Sequence, residues 1–504
     1  MDLLTTFVRV LLSYRVRAIA RYATSAESIQ RKTLAYLVRT AANTLWGKEH
    51  DYKAIRNYEV FAAKVPVGDY ASLKPYIQRM MDGEGDILWK GRVTRFATSS
   101  GTTSDVRKFI PVSRRHLKHG HLRGGRDVTA TYLHSNRNSH VALGESLIVS
   151  GCFREELNRG DIRIGDISAA MSEVIPPFFR NFLHIRPDPS FMRIRDDEKK
   201  HEAIAEDIIH RNLVSFSGLP HWNLLIMDKA IKIAGVSNAE ELWPNMELFA
   251  HGGVSIVPYR QHLEKLFPSG KLHLIETYNA SEGFFGVQTD MADPAMTLML
   301  DYDVFYEFIP MDQYGQADAK AVPLWDVELE KDYAILVSTS SGLWRYDMGD
   351  VVRFTHKNPY RLVIIGRTHQ NIDVWSEDLS VQQAEKALAY TCRELNVMVR
   401  EFTVAPLPLN EISGCHQWLV EFEKEPASLD AFASLLEERV QEEDIDYKEY
   451  RESCGGHALR VVKARPGLFY QWMESRGKIG GQNKVPRLST SRQYMDQLLA
   501  MNEE

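Results

Sequence analysis

The spacing of hydrophobic and polar positions divides the chain into a first half that mixes helices with strands and a later stretch of strands. Apolar residues three or four positions apart predict helices over roughly 1–60, then 69–81, 113–134, 221–234 and 256–267. Short runs of apolar and β-branched residues predict strands at 92–97, 146–149, 247–250 and 271–277. This mixture is typical of an α/β core.

From residue 284 the pattern is strand only, and it changes again at the turn formed by Gly366 and Arg367. Strands are predicted at 284–288, 297–300, 304–308, 334–338, 351–354 and 362–365. Beyond the turn we expect a helix over 380–395, strands near 402–405 and 417–422, a helix over 429–442 and a basic tail. The sequence predicts an α/β protein. Its large N-terminal domain, 1–368, combines mixed α/β sheets with a β-barrel-like part, and a smaller α+β domain follows over 369–504.

The N-terminal segment mixes an apolar run with basic residues. Apolar side chains are frequent between Leu3 and Leu12, and the arginines are Arg9, Arg15, Arg17 and Arg21. A secretory signal places its charges before its apolar run, so this order predicts an amphipathic helix instead. A helix packed on its own domain is the favoured interpretation, and a helix at a membrane surface is the alternative.

Composition and charge narrow the class of partner. The chain has 61 basic and 67 acidic residues and a net charge of −6, which gives no support for nucleic acid as a partner. It has no run of about 18 apolar residues, so we expect no membrane-spanning helix and no stable membrane insertion. The four cysteines are far apart in sequence. We therefore expect no disulfide framework, no zinc site and a cytoplasmic location.

The first segment with candidate chemistry is a loop of small and hydroxyl residues between a predicted strand and Lys108. Its residues are Thr98, Ser99, Ser100, Gly101, Thr102, Thr103 and Ser104. Such a loop offers backbone N–H groups and hydroxyl donors to an anion, and Lys108 adds a positive charge. The GxxxxGK[ST] spacing of a Walker A loop is absent, and the segment alone is also compatible with an ordinary loop.

Two carboxylates stand at the ends of predicted strands. Glu282 follows the strand at 271–277, and ligands bind at strand ends in α/β sheets, where a glutamate can hold Mg²⁺. Asp350 follows Gly349 directly before a strand, where a carboxylate can accept two hydrogen bonds from a ribose diol. The alternatives are a solvated turn glutamate and a turn aspartate bonded to its own backbone.

Two further segments follow toward the C-terminus. Arg367 lies at the predicted domain boundary, shortly before Asn371 and Asp373. The segment 477–489 places three glycines around Lys478 and Lys484, so a lysine there could swing onto a phosphate. The alternative for this segment is a disordered tail.

The order of these segments resembles the acyl-adenylate-forming superfamily, and more closely the Gretchen Hagen type acyl-acid amido synthetases of the auxin-responsive promoter family. That family's Ser-Ser-Gly-Thr-(Ser/Thr) loop, with a lysine and Phe-Ile-Pro-Val downstream, corresponds to 99–103 and 108–112. Its Tyr-x-x-Ser-Glu-Gly motif corresponds to 278–286, its Gly-Asp-Val motif to 344–351, and its Gln-x-Lys-x-Pro-Arg motif to 482–487. The resemblance spans roughly residues 90 to 490.

Two positions depart from the family pattern. Asp105 stands where the family has a glycine after the first loop, which adds a negative charge near the phosphates. Residues 374–377 lack the lysine that the plant enzymes carry after Ile-Asp, so the chain looks like the bacterial branch. This departure weakens the transfer of plant substrate preferences to this chain.

The resemblance implies a ligase that adenylates a small carboxylic acid with ATP and Mg²⁺ and passes the acyl group to an amine, with an amino acid as the expected acceptor. It assigns Glu282 and Lys484 to catalysis, with Glu282 on the metal. It assigns nucleotide binding to Ser99, Ser100, Gly101, Thr102, Thr103, Lys108, Tyr278, Asn279, Ala280, Ser281, Asp350 and Arg367. A mobile C-terminal domain would bring Lys484 to the α-phosphate for adenylation and withdraw it for amide formation.

Two other functions stay open from the sequence. The same acyl-adenylate could react with coenzyme A, which differs only in the nucleophile that releases AMP. A protein that binds adenylate without catalysis is disfavoured, because every motif position expected to matter is occupied. The acid pocket is expected near residues 251–254 and the helices of 113–180.

Overall fold

The computed structural model divides the chain into two compact units. The large unit comprises Met1–Ser99, Arg107–Val254 and Phe267–Ile364, and the small unit comprises Ser100–Val106, Ser255–Leu266 and Ile365–Glu504. The residues that the structure describes are 3–99, 108–175, 185–188, 190–194, 197–253, 255–256, 259–316, 318–368, 379–409, 414–444, 447–448, 451, 457–476, 485–489 and 491–503. The domain boundaries drawn from the sequence, 1–368 and 369–504, stay a prediction.

The helices of the large unit begin and end at residues that the sequence explains. They are Leu3–Ala20 (α1), Tyr22–Ala41 (α2), Leu45–Glu49, Tyr58–Lys64, Tyr70–Met81, a run from Arg114 to Ser135 with a π-helical turn at Leu117–His121, Ile167–Val174, Asp197–Ile208, Pro220–Ala234 and Ala239–Leu242. Asp69 and Ser72 form a capping box that begins Tyr70–Met81. Gly235, with φ +70°, ends Pro220–Ala234. The run from Arg114 to Ser135 is called the 114–135 helix below.

The strands of the large unit follow the predicted order closely. They are β1 (Arg95–Ser99), β2 (Lys108–Pro111), β3 (Glu145–Ile148), β4 (Arg163–Gly165), β5 (Ile185–Arg186), β6 (Leu213–Gly218), β7 (Leu248–Gly252), β8 (His273–Ala280), β9 (Gly283–Val287), β10 (Met296–Leu298), β11 (Val304–Pro310), β12 (Val322–Pro323), β13 (Asp332–Thr339), β14 (Tyr346–Lys357) and β15 (Tyr360–Arg367). The prediction missed β2, β4, β5, β6 and β12, because runs of two to six residues offer few positions from which alternation can be recognised.

One mixed sheet organises the large unit. Its order among the described residues is β12-β11-β13-β14-β15-β10-β9-β8-β7-β6-β3-β5. The strands from β5 to β8 pair in parallel, whereas β9 and the strands on its far side pair antiparallel wherever the pairing is resolved. A three-stranded sheet, β2-β1-β4, stands apart from it. The mixed α/β class predicted from the sequence is confirmed, and its strand-rich stretch continues the parallel part of the sheet.

The core of the large unit lies where α2 meets the antiparallel strands. Gln30 of α2 is buried and donates from Nε2 to the carbonyl oxygens of Leu300 (3.2 Å) and Val304 (3.0 Å). These bonds satisfy backbone groups at the entry to β11 while the apolar face of α2 packs on the sheet. α1 packs on the 114–135 helix, as expected for a helix that lies on its own domain. Within the described residues, no helix has the length and hydropathy required to cross a membrane.

The small unit is an α+β structure around a three-stranded sheet. Its strands are β16 (Met398–Pro408), β17 (Gly414–Lys424) and β18 (Arg460–Ala464), in the order β16-β17-β18. Its helices are Arg260–Leu266, Val381–Glu394, Leu429–Glu443, Leu468–Ser475 and Gln493–Glu503. The segment expected to be a basic tail therefore contains a strand and two helices. The helix Arg260–Leu266 joins this unit through His262, whose Nδ1 lies 3.0 Å from Glu423 Oε2.

Candidate functional site

The turn between β8 and β9 carries Glu282 into a buried position in the large unit. β8 ends at Ala280 and β9 begins at Gly283, so Ser281 and Glu282 form the turn. The exposed fraction of Glu282 is 8%, and that of Ser281 is 4%. The solvated turn glutamate, one of the two interpretations open from the sequence, is therefore wrong.

The same turn contacts the end of β1, where the hydroxyl-rich loop begins. Ser281 Oγ donates to the carbonyl oxygen of Thr98, at 3.4 Å. On the other side of the loop, Lys108 in β2 is the register partner of Ser99 in β1. The two ends of the loop therefore lie side by side, next to the β8–β9 turn. Ser100, Gly101, Thr102 and Thr103 lie outside the described residues.

Tyr278 connects the strand that leads to Glu282 with the strand that carries Asp350. The phenol of Tyr278 in β8 donates to Asp350 Oδ2 in β14 at 2.6 Å, and both side chains are buried. A hydrogen bond to a carboxylate is shorter and stronger than one between neutral groups, so this bond fixes the orientation of the Asp350 carboxylate. Tyr278 and Asp350 were both predicted to bind nucleotide, but their contact was not predicted.

A bulge in β14 places Asp350. Ala334 of β13 pairs with Val351, whereas Leu336 pairs with Asp347, so β14 has two more residues than β13 between these pairs. Gly349 lies in this bulge with φ +72°, a conformation that a residue with a side chain adopts only with strain. The glycine in the Gly-Asp-Val motif is therefore required by the backbone next to Asp350.

Two buried histidines of the 114–135 helix hold the β8–β9 hairpin. His116 Nε2 donates to the carbonyl oxygen of Glu282 at 2.9 Å; a carbonyl can only accept, so Nε2 carries the hydrogen. His116 Nδ1 lies 3.4 Å from Ser340 Oγ, which can donate to it. His121 Nδ1 lies 3.2 Å from Asn279 Oδ1. The sequence analysis missed both histidines, because a histidine within an amphipathic helix carries no local signal of its distant partner.

Burial keeps both histidines neutral. Loss of solvation lowers the pKa of His116 to about 4, and it lowers the pKa of His121 to about 3, with a further contribution from the nearby His116 ring. The two rings are in edge contact, with centroids 5.3 Å apart. Neutral imidazoles add no positive charge next to Glu282. The role of these histidines is therefore to position the Glu282 backbone and Asn279.

Tyr346 places a second phenol close to Glu282. It is buried at the start of β14, and its pKa lies well above the ordinary value, first because of burial and then because of the negative charge of Glu282. Tyr346 therefore stays protonated close to Glu282. By contrast, Arg345 before it is a structural residue, which pairs with the buried Glu307 at 2.8 Å.

A metal at this site would depend on one carboxylate and on the nucleotide. Among the described residues no group of three or more His, Cys, Asp or Glu side chains is arranged to hold a metal. Mg²⁺ is commonly held by one or two carboxylates together with substrate phosphates, so the buried Glu282, whose turn contacts Thr98, fits such a site.

Comparison with known families decides the relationship of this chain. The GH3 family N-terminal domain matches residues 15–216, the GH3 family central domain matches 297–367, and the GH3 family C-terminal domain matches 382–493. The three matches follow in family order and together cover well over half of the chain. The chain belongs to the GH3 family.

Relatives of this GH3 chain match along most of their length. It is 26% identical to the indole-3-acetic acid-amido synthetase GH3.8 of Oryza sativa subsp. indica, over 94% of this chain and 90% of the relative. It is 23% identical to the 4-substituted benzoates-glutamate ligase GH3.12 of Arabidopsis thaliana, over 85% of this chain and 87% of the relative. The first relative is named as an amido synthetase of an acid, and the second as a ligase of benzoates and glutamate.

Solved structures show the fold shared by this GH3 chain. The acyl acid amido synthetase AtGH3.15 in complex with 2,4-DB has a TM-score of 0.80 at 18% identity and covers 96% of this chain and 95% of its own. A 2-hydroxyisobutyryl-CoA ligase in the postadenylation state has a TM-score of 0.60 at 12% identity and covers 95% and 92%. These likenesses support the fold class, with its large N-terminal and smaller C-terminal domains.

The remaining residues predicted for this GH3 chain have no contact with Glu282 or Asp350 among those given above. Arg367 ends β15 and belongs to the small unit, and Lys484 lies outside the described residues. His251 and Gly252, expected near the acid, end β7, where Thr277 Oγ1 donates to the His251 carbonyl at 3.0 Å. A Cβ on Gly252 would lie 2.4 Å from the Thr277 carbonyl oxygen, so only glycine allows β7 and β8 to approach this closely.

Proposed function

We propose that this GH3 chain is an ATP-dependent acyl acid amido synthetase, which adenylates a carboxylic acid and transfers the acyl group to the amine of an amino acid. The observation that carries the proposal is the corner where Ser281 contacts Thr98 and Tyr278 contacts Asp350. These two contacts bring together the start of the hydroxyl-rich loop at Thr98, the Ser-Glu-Gly turn and the Gly-Asp-Val bulge. Those are the three segments whose order in the sequence resembles nucleotide-binding motifs.

The first reaction makes the acid a better acyl donor. A carboxylate oxygen of the acid attacks the α-phosphorus of ATP, and the bond from that phosphorus to the bridging oxygen of pyrophosphate breaks. The products are an acyl-adenylate and pyrophosphate. Negative charge grows on the phosphate as the bonds change, so the site must present cations and donors that are already in place.

The second reaction forms the amide. The amine nitrogen attacks the acyl carbon, and the bond from that carbon to the AMP oxygen breaks, so AMP leaves with the electron pair. The nitrogen loses a proton as the amide forms. AMP is a good leaving group because its phosphate stabilises the negative charge that it carries away. A free carboxylate would have to lose a strongly basic oxide, which is a poor leaving group.

The residues predicted to bind the nucleotide and the metal each have a place in this scheme. The oriented carboxylate of Asp350 would accept hydrogen bonds from the ribose diol. Glu282 would hold Mg²⁺, which when bound supplies charge to the phosphates. Lys108 and the loop Ser99–Thr103 would face the phosphates, while Asn279, Ala280 and Ser281 would flank the adenine and the α-phosphate. His116 and His121 would keep the hairpin that carries these groups in register.

The small unit would supply the rest of the machinery. We assign Lys484 to the α-phosphate during adenylation and Arg367 to the boundary between a domain over 1–368 and a mobile domain over 369–504. The absence of a lysine in 374–377 supports placing the chain in the bacterial branch of the family. The described cysteines Cys152, Cys392 and Cys415 form no disulfide with one another, which fits a cytoplasmic location, where thiols stay reduced.

The test separates the two reactions. ATP–pyrophosphate exchange over a library of carboxylic acids reports adenylation, and mass spectrometry after addition of an amino-acid mixture reports the amide. We expect exchange with a limited set of acids and an acyl-amino acid product that requires both substrates. No exchange with any acid while ATP still binds would instead support a protein that binds adenylate without catalysis.

Coenzyme A is the competing acceptor, since the fold is also that of a 2-hydroxyisobutyryl-CoA ligase. The same adenylated acid is therefore offered to amino acids and to coenzyme A in parallel. Formation of an acyl-CoA in preference to any amide would replace the amido synthetase with an acyl-CoA ligase and leave the adenylation proposal intact.

A further inference from the structure

Helix α1 turns polar side chains toward the protein. Arg15 is buried and donates to both carboxylate oxygens of Asp127, at 2.7 to 3.0 Å, and to Asp301, at 2.7 and 2.9 Å. Arg9 donates from Nε to the carbonyl oxygen of Leu133 at 2.8 Å, and thereby contacts the last turn of the 114–135 helix. These charge-assisted bonds fix which side of α1 meets the large unit.

The opposite side of α1 exposes large apolar side chains to solvent. We call it the α1 apolar face; it consists of Leu3, Leu4, Phe7, Val10, Leu11 and Tyr14. Their exposed fractions run from 40% for Leu4 to 89% for Leu3, and their spacing of three and four residues puts them on one side of the helix. Of the thirteen exposed large hydrophobic residues in the described part of the chain, these six form a single patch, which distinguishes it from scattered surface leucines.

Positive charge continues the α1 apolar face toward the C-terminal end of the helix. Arg17 is exposed three residues after Tyr14, and the exposed Arg21 follows one turn later. The guanidinium of Arg126, from the 114–135 helix, lies 5.7 Å from the centre of the Tyr14 ring. The whole of Leu3–Ala20 contains no acidic residue. The exposed side of this helix is therefore apolar over its first turns and cationic beyond them.

We propose that the α1 apolar face binds the surface of an anionic lipid bilayer, with the helix lying flat in the interface. The apolar side chains would enter the boundary between headgroups and acyl chains, and Arg17, Arg21 and Arg126 would face lipid phosphates. The rest of the protein would stay in water, because α1 is held by Arg15 and Arg9 in the orientation that presents this face. The proposal is independent of the reaction that the large unit catalyses.

A second copy of the chain is the competing occupant, and charge disfavours it. In a two-fold symmetric contact the same surface meets itself, so the arginines of one α1 would approach those of the other or apolar side chains. No acidic residue of α1 is available to pair with them. A bilayer containing anionic lipids supplies the missing negative charge as well as the apolar phase.

The experiment measures binding of the full-length protein to vesicles of phosphatidylcholine alone and to vesicles of phosphatidylcholine and phosphatidylglycerol in equal amounts. We expect binding about tenfold tighter to the anionic vesicles, weakened by added salt. The double variant Phe7→Ser/Leu11→Ser is expected to lose at least about tenfold in binding to the anionic vesicles. Arg17→Gln/Arg21→Gln is expected to reduce binding to anionic vesicles only.

Matched controls come from the helix Pro220–Ala234, where Ile233→Ser and Lys232→Gln remove an exposed apolar residue and an exposed charge. Both should bind vesicles like the wild type, and all variants should keep the wild-type circular dichroism spectrum. Absence of vesicle binding, or binding that ignores both double variants, overturns the proposal. A dimer seen without lipid by sedimentation equilibrium and abolished by Phe7→Ser/Leu11→Ser would overturn it in favour of self-association.

Discussion

Tyr278 and His116 each fix one of the groups to which we assign chemistry. Tyr278 donates to the Asp350 carboxylate, and His116 donates to the backbone of Glu282. Neither residue needs to react, since a group held in one orientation by a strong hydrogen bond loses less freedom when a ligand binds. We therefore expect substitution of Tyr278 to change nucleotide binding and substitution of His116 to change stability.

Removing the phenol oxygen of Tyr278 tests the orientation of Asp350. We expect Tyr278→Phe to raise the KM for ATP about tenfold with a smaller change in kcat, because a hydrogen bond to a charged group is lost and a ribose contact is mainly uniform binding. Initial rates of pyrophosphate release at varied ATP measure this. Tyr447→Phe is the control, since the buried Tyr447 donates to Glu437 Oε2 at 2.8 Å within the small unit. An equal rise of KM in both variants would mean a general loss of structure.

The buried His116 predicts a loss of stability in mild acid. Burial lowers the pKa of His116 from 6.5 to about 4. As the pH falls below 6.5, His116 is protonated in the unfolded chain but stays neutral in the folded chain, which favours unfolding. The stabilisation is complete above pH 6.5 and is lost down to about pH 4. Between pH 7 and 5 we expect the wild type to lose about 2 kcal/mol more free energy of unfolding than His116→Gln. Urea titrations at both pH values measure this difference, and identical losses would contradict a neutral buried His116.

At the scale of elements, the position of the β8–β9 hairpin depends on how closely the 114–135 helix approaches it. A Cβ on Gly124 would lie 2.4 Å from the ring of Phe284 in β9. Helix and strand therefore touch with no room for a methyl group, two residues from Glu282. The β14 bulge at Gly349 places Asp350 on the other side of the same corner.

Alanine substitution of the two adjacent glycines Gly124 and Gly125 distinguishes the effect of close packing on stability from the effect of helix propensity. Gly124→Ala is expected to lower the free energy of unfolding by about 1–3 kcal/mol, because the ring of Phe284 must move. It should also slow adenylation, since Phe284 neighbours the Ser-Glu-Gly turn. Gly125→Ala meets nothing within 4 Å, so we expect it to be neutral or to stabilise by up to about 1 kcal/mol. Thermal unfolding of both variants measures the contrast, and equal effects would show that the close contact carries no energetic consequence.

At the scale of the whole molecule, the proposed reaction needs a positive charge beside the α-phosphate in one step and an open path for the amine in the next. A lysine on a separate unit can satisfy both demands, whereas a lysine fixed in the large unit could not leave. The glycines of 477–481 would permit such a movement, and Pro486 stiffens the chain that follows. Lys484 lies outside the described residues, so its role rests on the family motif.

Lys484→Ala tests this division of labour. We expect the adenylation half-reaction to fall by about 10²-fold or more, the loss typical of one transition-state charge donor. Aminolysis of a supplied acyl-adenylate should change much less. Pyrophosphate exchange and single-turnover amide formation measure the two steps, with Lys478→Ala as the matched control. An equal loss in both steps would contradict the proposal that the small unit takes a different position in each step. A loss confined to Lys478→Ala would assign the role to that lysine.

The sequence by itself determined the elements and the family. Periodicity located the helices at 69–81 and 113–134, the strands of 284–366 and the α+β character of the C-terminal region, because each signal is contained within one short segment. The motif order gave the acyl acid amido synthetase resemblance, which the family matches confirm. The short strands β2, β4, β5, β6 and β12, the helix Asp197–Ile208 and the helices of the expected tail were missed, since their short or weak patterns do not distinguish one kind of structure from another.

Only the tertiary structure decided which residues meet and which surfaces stay exposed. Ser281 reaches Thr98 and His116 reaches Glu282 across separations of 183 and 166 residues, which no local pattern records. The amphipathic pattern of α1 likewise defines two faces but not which one meets the protein. The buried Asp127 and the half-buried Asp301 determine the choice, because they pair with Arg15 and leave the apolar face in solvent.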